Sequence, residues 1–202
     1  MTNLETIVAL SHEFGTDDFV KGGGGNTSVK DAKTLWVKPS GTTLSGLTTD
    51  SFVSMDRMKV DALYRAETPD EASEREVLVR DMMAAAVLND AGRPSVEAPL
   101  HNLFDAEFVV HTHPVLVNGM TCAKEGAAVC ARLFPDALWV DYIDPGYTLC
   151  MAVKEEMEAY QREHGRQPDV LVLKNHGIFI AGNSAEQVRA HYAEVMSALE
   201  SE

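Results

Sequence analysis

Residues 108–113 read Phe-Val-Val-His-Thr-His, with Pro114 directly behind. The apolar run predicts a β-strand, and in a strand residues i and i+2 project from the same face. His111 and His113 would then stand side by side, about 7 Å apart at the backbone by strand rise. Two neutral ring nitrogens so placed suit two ligands of one tetrahedral divalent ion. The same pattern also fits two unrelated histidines near a strand end, so the rest of the chain has to decide between the two.

With 202 residues and 45% hydrophobic content, the chain is expected to form one domain, 1–202, with a real core. A net charge of −14 works against a nucleic-acid or anionic-membrane partner. An anionic substrate would need local positive potential from a metal, backbone N–H groups and a few lysines or arginines. Cys122, Cys130 and Cys150 cannot all pair and lack close ligand spacing, which fits reduced, mostly buried thiols of a cytoplasmic protein. There is no basic leader with a long apolar core, and no stretch of about 18 apolar residues to span a bilayer.

Apolar spacing predicts helices over 3–14, 71–90, 97–104 and 150–164, and a last helix opening at the capping-box pattern Ser184-Ala185-Glu186-Gln187. Strands are expected at 35–38, 52–55, 138–141, 170–173 and 177–180, besides the His-x-His strand. Gly22-Gly23-Gly24-Gly25 breaks regular structure and opens a loop that runs through residues 26–30. Strands and helices mix without regular βα alternation. The expected fold is therefore α/β, a single domain with a mainly antiparallel central sheet flanked by helices.

Two further residues are candidates beside the first histidine pair. His176 lies where the strand 170–173 meets a tight turn before Gly177; it also reads simply as a turn histidine. Glu97 opens a short helix, where a carboxylate commonly complements the helix dipole; beside three histidines it becomes a fourth ligand or a base. His101 is spaced i, i+4 from Glu97 and could share its helix face. A structural role is expected for it, because three histidines and a glutamate already fill a tetrahedron. Near the glycine run, Asn26-Thr27-Ser28, Pro39-Ser40-Gly41-Thr42 and Pro94-Ser95 supply main-chain amides and hydroxyls, flanked by Lys38 and Arg93. Such turns form nests for phosphate oxygens, although a Gly-rich loop can equally be a connector, and neither the Walker nor the dinucleotide pattern is present.

Taken in order, Gly-Gly-Asn-Thr-Ser-Val, Lys-Pro-Ser-Gly, Pro-Ser-Val-Glu-Ala-Pro-Leu-His, Val-Val-His-Thr-His-Pro and Leu-Lys-Asn-His-Gly span residues 24–177. This series resembles the class II aldolase/adducin family, and most of all its rhamnulose- and fuculose-phosphate aldolase branches. The resemblance implies a zinc site on His111, His113 and His176 with a metal-binding catalytic glutamate at Glu97. It also implies a phosphate site on Gly25, Asn26, Ser40, Gly41 and Ser95. Val96 stands where many relatives carry a second serine, which removes a hydroxyl contact to phosphate while leaving the amide. Family aldolases form C4 tetramers and take a general-acid tyrosine from a neighbouring subunit; Tyr142, Tyr147 and Tyr160 are the tyrosines between His113 and His176. Many relatives also carry a tail beyond the last helix, so a trimmed chain or a shortened lid is expected.

The activity implied is zinc-dependent retro-aldol cleavage of a ketose 1-phosphate or related sugar phosphate into a dihydroxyacetone-phosphate-like product and an aldehyde. Glutamate at position 97 points away from the family's pentulose-phosphate 4-epimerases, which carry aspartate there. A sugar-acid phosphate decarboxylase shares this glutamate, and a non-catalytic adducin-like binding domain would not need the complete histidine and glutamate set.

Overall fold

The core of the molecule is built on a seven-stranded sheet in the order β3-β2-β1-β4-β7-β6-β5. The computed structural model describes residues 1–202. In chain order the elements are α1 (Asn3–Glu13), β1 (Asn26–Lys30), β2 (Thr34–Val37), β3 (Val53–Asp56), α2 (Arg57–Leu63), α3 (Ala72–Ala86), α4 (Ala98–Leu103) and β4 (Phe108–Thr112). Then come α5 (Val115–Thr121), α6 (Gly126–Leu133), β5 (Leu138–Val140), α7 (Tyr147–His164), β6 (Val170–Leu173), β7 (Gly177–Gly182) and α8 (Ala185–Glu200). Every ladder is antiparallel except the edge pair β5–β6. The expected fold class is the one observed.

Strand alternation sorts the core onto two faces. Val110 of β4, Ile178 and Ile180 of β7 and Val172 of β6 pack under α1, α5, α6 and α8. Their neighbours Val109, Phe179, Ala181, Leu171 and Leu173 pack against α4 and α7. A third cluster joins β2 and β3 to α2 and α3 through Leu35, Val37, Met55, Leu63 and Met83. By the same alternation Thr112 belongs to the first face, where its hydroxyl meets that of Tyr192 at 2.6 Å. His111 belongs to the second face, that of α4. No helix is long and apolar enough to cross a membrane.

Several boundaries differ from the sequence expectation. Residues 26–30, expected as loop, form β1, which pairs with β2 on one edge and with β4 on the other. Polar side chains hid this strand, because its burial rests on specific partners rather than on apolarity. The Thr27 and Ser11 hydroxyls meet at 2.7 Å, and Lys30 Nζ donates to the carbonyl of His101 at 3.0 Å. The helix expected over 71–90 stops at Ala86 because Val87 turns extended and bridges to Met55. Helix α7 begins before its expected start, at Tyr147, whose N–H donates to the Glu76 carboxylate at 3.3 Å. Helices α2, α5 and α6 are short elements with no expectation attached to them. At α8 the Ser184 hydroxyl accepts from the Gln187 N–H, as its spacing indicates.

Lys30 links this packing to pH. Burial, aided by the charge of Arg57 and only partly opposed by Asp105 and Glu107, pushes its ammonium down to about 7. Between there and the ordinary lysine value of about 10.4, the unfolded chain binds more protons than the folded one. Stability attributable to this group therefore rises with pH across that window and is lost as the pH falls towards 7. In urea unfolding, the stability of the wild type relative to Lys30→Met should climb from neutral to alkaline pH, by at most about 1.4 kcal/mol per unit. A flat difference would show that Lys30 remains charged when folded.

Candidate metal centre

Three histidines meet where β4 ends and β6 turns into β7. His111, the penultimate residue of β4, is fully buried, and its ring stacks on Phe179 at 4.0 Å between centroids. Its Nδ1–H donates to the carbonyl of Ile178 at 2.9 Å. That bond fixes the tautomer and leaves the Nε2 lone pair facing the cluster. β4 ends at Thr112, so His113 lies just beyond the strand rather than within it. Its backbone N–H leaves the ladder and donates to Phe19 at 2.8 Å. The ring nevertheless turns back, and its Nε2 stands 2.9 Å from His111 Nε2.

His176 arrives from the other side through a tight turn. Asn175 takes a left-handed backbone, φ 56°, a conformation that asparagine tolerates better than most residues. Gly177 follows because there is no room for a side chain: a Cβ would sit 2.4 Å from the carbonyl oxygen of Thr112 and 2.6 Å from His113 Cδ2. This close approach brings one potential ligand atom from each of His111, His113 and His176 within 4.8 Å of one another.

Glu97 closes the cluster from α4, where it is the N-cap residue. Its backbone N–H donates to Ser95 Oγ at 3.2 Å. Oε2 accepts from Asn26 Nδ2 at 2.6 Å and lies 3.5 Å from His111 Nε2. Oε1 lies 3.3 Å from His176 Nε2, buried and without a hydrogen-bond donor. Asn26 is held opposite His111 by the β1–β4 register. His101, one turn after Glu97, is fully buried, with Nδ1 2.7 Å from Ser28 Oγ and Nε2 in a short contact with Asn26 Oδ1. It supports the site without facing the histidine cluster, in keeping with the structural role expected of it.

Burial keeps the imidazoles of His101, His111 and His113 neutral. His111 is pushed down to about 3 by desolvation and then by His176; His113 falls to about 3 through desolvation and then the other two histidines. His101 is held well below the usual range, mainly by burial. Neutral imidazole is the form that coordinates a metal. Three converging imidazoles with a donor-free carboxylate oxygen at hand make a donor set that fits a divalent ion such as zinc.

The loops expected to bind an anion also come together. Lys38, just after β2, is buried, and its Nζ donates to Gly23 in the glycine run at 3.2 Å. Burial lowers its pKa, an effect that the Glu97 carboxylate opposes. The Ser95 N–H donates to Lys38 at 3.2 Å and the Ser40 N–H to Arg93 at 2.8 Å, so loops 39–42 and 93–96 run side by side. Gly25 and Gly41 have φ of 66° and 82°, and at Gly25 a Cβ would sit 2.8 Å from the carbonyl oxygen of His111. Ser40 and Gly41 are exposed, whereas the Ser95 hydroxyl is occupied by Glu97 and the Asn26 amide by Glu97 and His101. Val96 is 77% exposed and, with Ser40, Arg93, Ser95 and Tyr147, lines a cavity of about 390 Å³. The hydroxyls of Tyr142 and Tyr160 donate to Asp144 and to the Asp136 carbonyl.

The fold and this cluster define the class, and the chain belongs to the class II aldolase and adducin N-terminal domain family, whose model matches residues 5–202. Among solved structures it is similar to the N-terminal class II aldolase domain of a conserved protein from Thermoplasma acidophilum, with 26% identity and a TM-score of 0.82 over 99% of this chain and 93% of that one. It is 27% identical to the uncharacterized oxidoreductase YuxG of Bacillus subtilis over 91% of this chain, but spans only 27% of that relative's length. It is 24% identical to an L-fuculose phosphate aldolase of Methanocaldococcus jannaschii over 81% of this chain and 75% of the relative.

The cluster makes a direct prediction about metal uptake. The protein dialysed against zinc should retain about one ion per chain, the capacity of one tetrahedral site, and its thermal midpoint should rise with free zinc. Replacing His111, His113 or His176 by alanine should abolish both effects in a protein that still folds. Full zinc retention by all three variants would place the metal elsewhere.

Proposed function

We propose that this chain is a zinc-dependent aldolase that cleaves a ketose 1-phosphate, or a closely related sugar phosphate, into a dihydroxyacetone-phosphate-like product and an aldehyde. One observation carries the reading. The Glu97 carboxylate has one oxygen fixed by Asn26 and the other, Oε1, free of donors and facing the convergent imidazoles. A structural metal site has no use for a mobile-proton carrier so placed, whereas proton transfer at a substrate carbon requires one.

In this reading His111, His113 and His176 hold the ion and Glu97 works beside it. A divalent ion there would act as a Lewis acid on the negative charge that builds up on the ketose oxygens. As the C3–C4 bond of the ketose breaks, C4 leaves as the aldehyde carbon, its hydroxyl proton passing to water, and the electron pair stays with the C2–C3 fragment. Protonated Glu97 Oε1 gives its proton to C3 and is reprotonated by water; in the condensation direction both transfers reverse. The hydroxyls of Ser40 and Ser95, whose own amides are engaged by Arg93 and Lys38, orient the phosphate with the backbone of Gly25, Asn26 and Gly41; Val96 contributes only its N–H. In the same reading the protein is a cytoplasmic homotetramer with its sites at subunit interfaces.

Retro-aldol assays on a panel of ketose 1-phosphates, with and without chelator, test the reaction. Aldehyde release that chelation stops and zinc restores is expected. Release of carbon dioxide from sugar-acid phosphates without ketose cleavage would replace this reading by a decarboxylase. Glu97→Gln should retain zinc on its three histidines yet lose about 10²–10⁴-fold in kcat, the usual contribution of a general acid–base group, with KM little changed. Recovery of activity by excess zinc would reduce Glu97 to a ligand.

A further inference from the structure

We infer that His101 is a positioning residue for Glu97, acting through Asn26 in a one-directional chain of hydrogen bonds that runs from Ser28 to the carboxylate. The chemistry of each partner fixes the direction. A carboxylate only accepts, so the Asn26 group 2.6 Å from Glu97 Oε2 is the amide nitrogen. Asn26 Oδ1 then faces His101 and can only accept, so His101 Nε2 carries the ring proton. The other ring nitrogen, Nδ1, is left as an acceptor for the Ser28 hydroxyl at 2.7 Å. Every donor and acceptor along the path has one assignment, and all three supporting side chains are buried.

The strand and helix geometry explains why this path exists. Asn26 and Ser28 alternate onto the same face of β1, and Glu97 and His101 lie one turn apart at the start of α4. Two residues on a strand thus meet two on a helix, and the ends of the path lie on different elements. Without His101 the Asn26 amide is free to rotate, and Oε2 loses the donor that orients it. Which carboxylate oxygen is held by a donor and which stays free beside His176 is then no longer specified. The consequence is a precise role for the chain of bonds: it reserves Oε2 for Asn26 and leaves Oε1 as the proton-carrying atom.

The inference rests on the acid–base role proposed for Glu97 only in its effect on turnover, and the Asn26 amide reports on it independently. In the zinc-loaded protein, the Asn26 side-chain amide protons should exchange slowly, and one should be shifted strongly downfield by its bond to Glu97. His101→Leu should return them to fast exchange and an unbonded position. Zinc content and KM should hold, and kcat should fall by about 10²-fold, the scale of a misplacement of about 1 Å. His101→Gln, which keeps a side-chain N–H able to reach Asn26, should recover most of both signals. Ser28→Ala, which removes only the far end of the path, should shift the Asn26 resonances in the same direction by less. It serves as the test if the leucine variant does not fold. Unmoved Asn26 resonances in a folded His101→Leu or Ser28→Ala protein would overturn the inference, as would equal kcat losses in His101→Leu and His101→Gln. If the wild type cleaves no ketose phosphate, the proposed reaction fails, while the amide resonances still decide whether His101 positions Glu97.

Discussion

Strand β4 is paired along both edges, with β1 on one side and β7 on the other, and the arrangement of the whole molecule follows from that central position. The register sets Asn26 opposite His111 and Phe179 across from it on the far edge. A slip of one residue would turn every side chain to the opposite face. His111 would then be directed at α1 and α8, and Thr112 would take its place in front of Glu97. The contact of Gly177 with the Thr112 carbonyl locks the same register from the β7 side, since it allows the His176 turn to close only at this setting.

The buried polar residues form a graded set around that strand. On the α4 face, Asn26, Ser28, Lys30 and His101 all find partners, and the pairings run continuously from β1 into the helix. A half-satisfied network would destabilise the core, whereas a complete one specifies a single arrangement. The orphan in this region is Glu97 Oε1, and the exception falls at the atom to which the proposed chemistry assigns a task. Around it the chain, acidic overall, buries two of its lysines, Lys30 and Lys38, against backbone carbonyls. Local potential at the site is thus set by a few fixed groups rather than by the net charge of −14.

The sequence made the histidine cluster and the mainly antiparallel sheet legible, because His-x-His after an apolar run and His-Gly after another are local patterns with few geometric outcomes. It concealed β1, because Asn-Thr-Ser-Val-Lys has the composition of a loop. The strand is buried by partners that lie far off in the chain, Ser11 and His101 among them. The spacing of Glu97 and His101 was visible as i, i+4. That His101 acts on Asn26 instead of on the histidine cluster depends on which strand α4 covers, and no local pattern encodes that. His113, expected within the strand, lies just beyond it, since the hydrogen bond of its N–H to Phe19 comes from a loop remote in sequence.

The groups that meet at this centre come from β1, the start of α4, the exit of β4 and the turn before β7, positions 26 to 176 of the chain. Contacts between segments so far apart are costly in loop-closure entropy and form slowly, after local helices and hairpins. The centre therefore has no rudimentary version in a partly folded chain. Only when the last of these segments docks do the three imidazoles stand within reach of one another. The candidate metal centre is thus tied to completion of the fold itself.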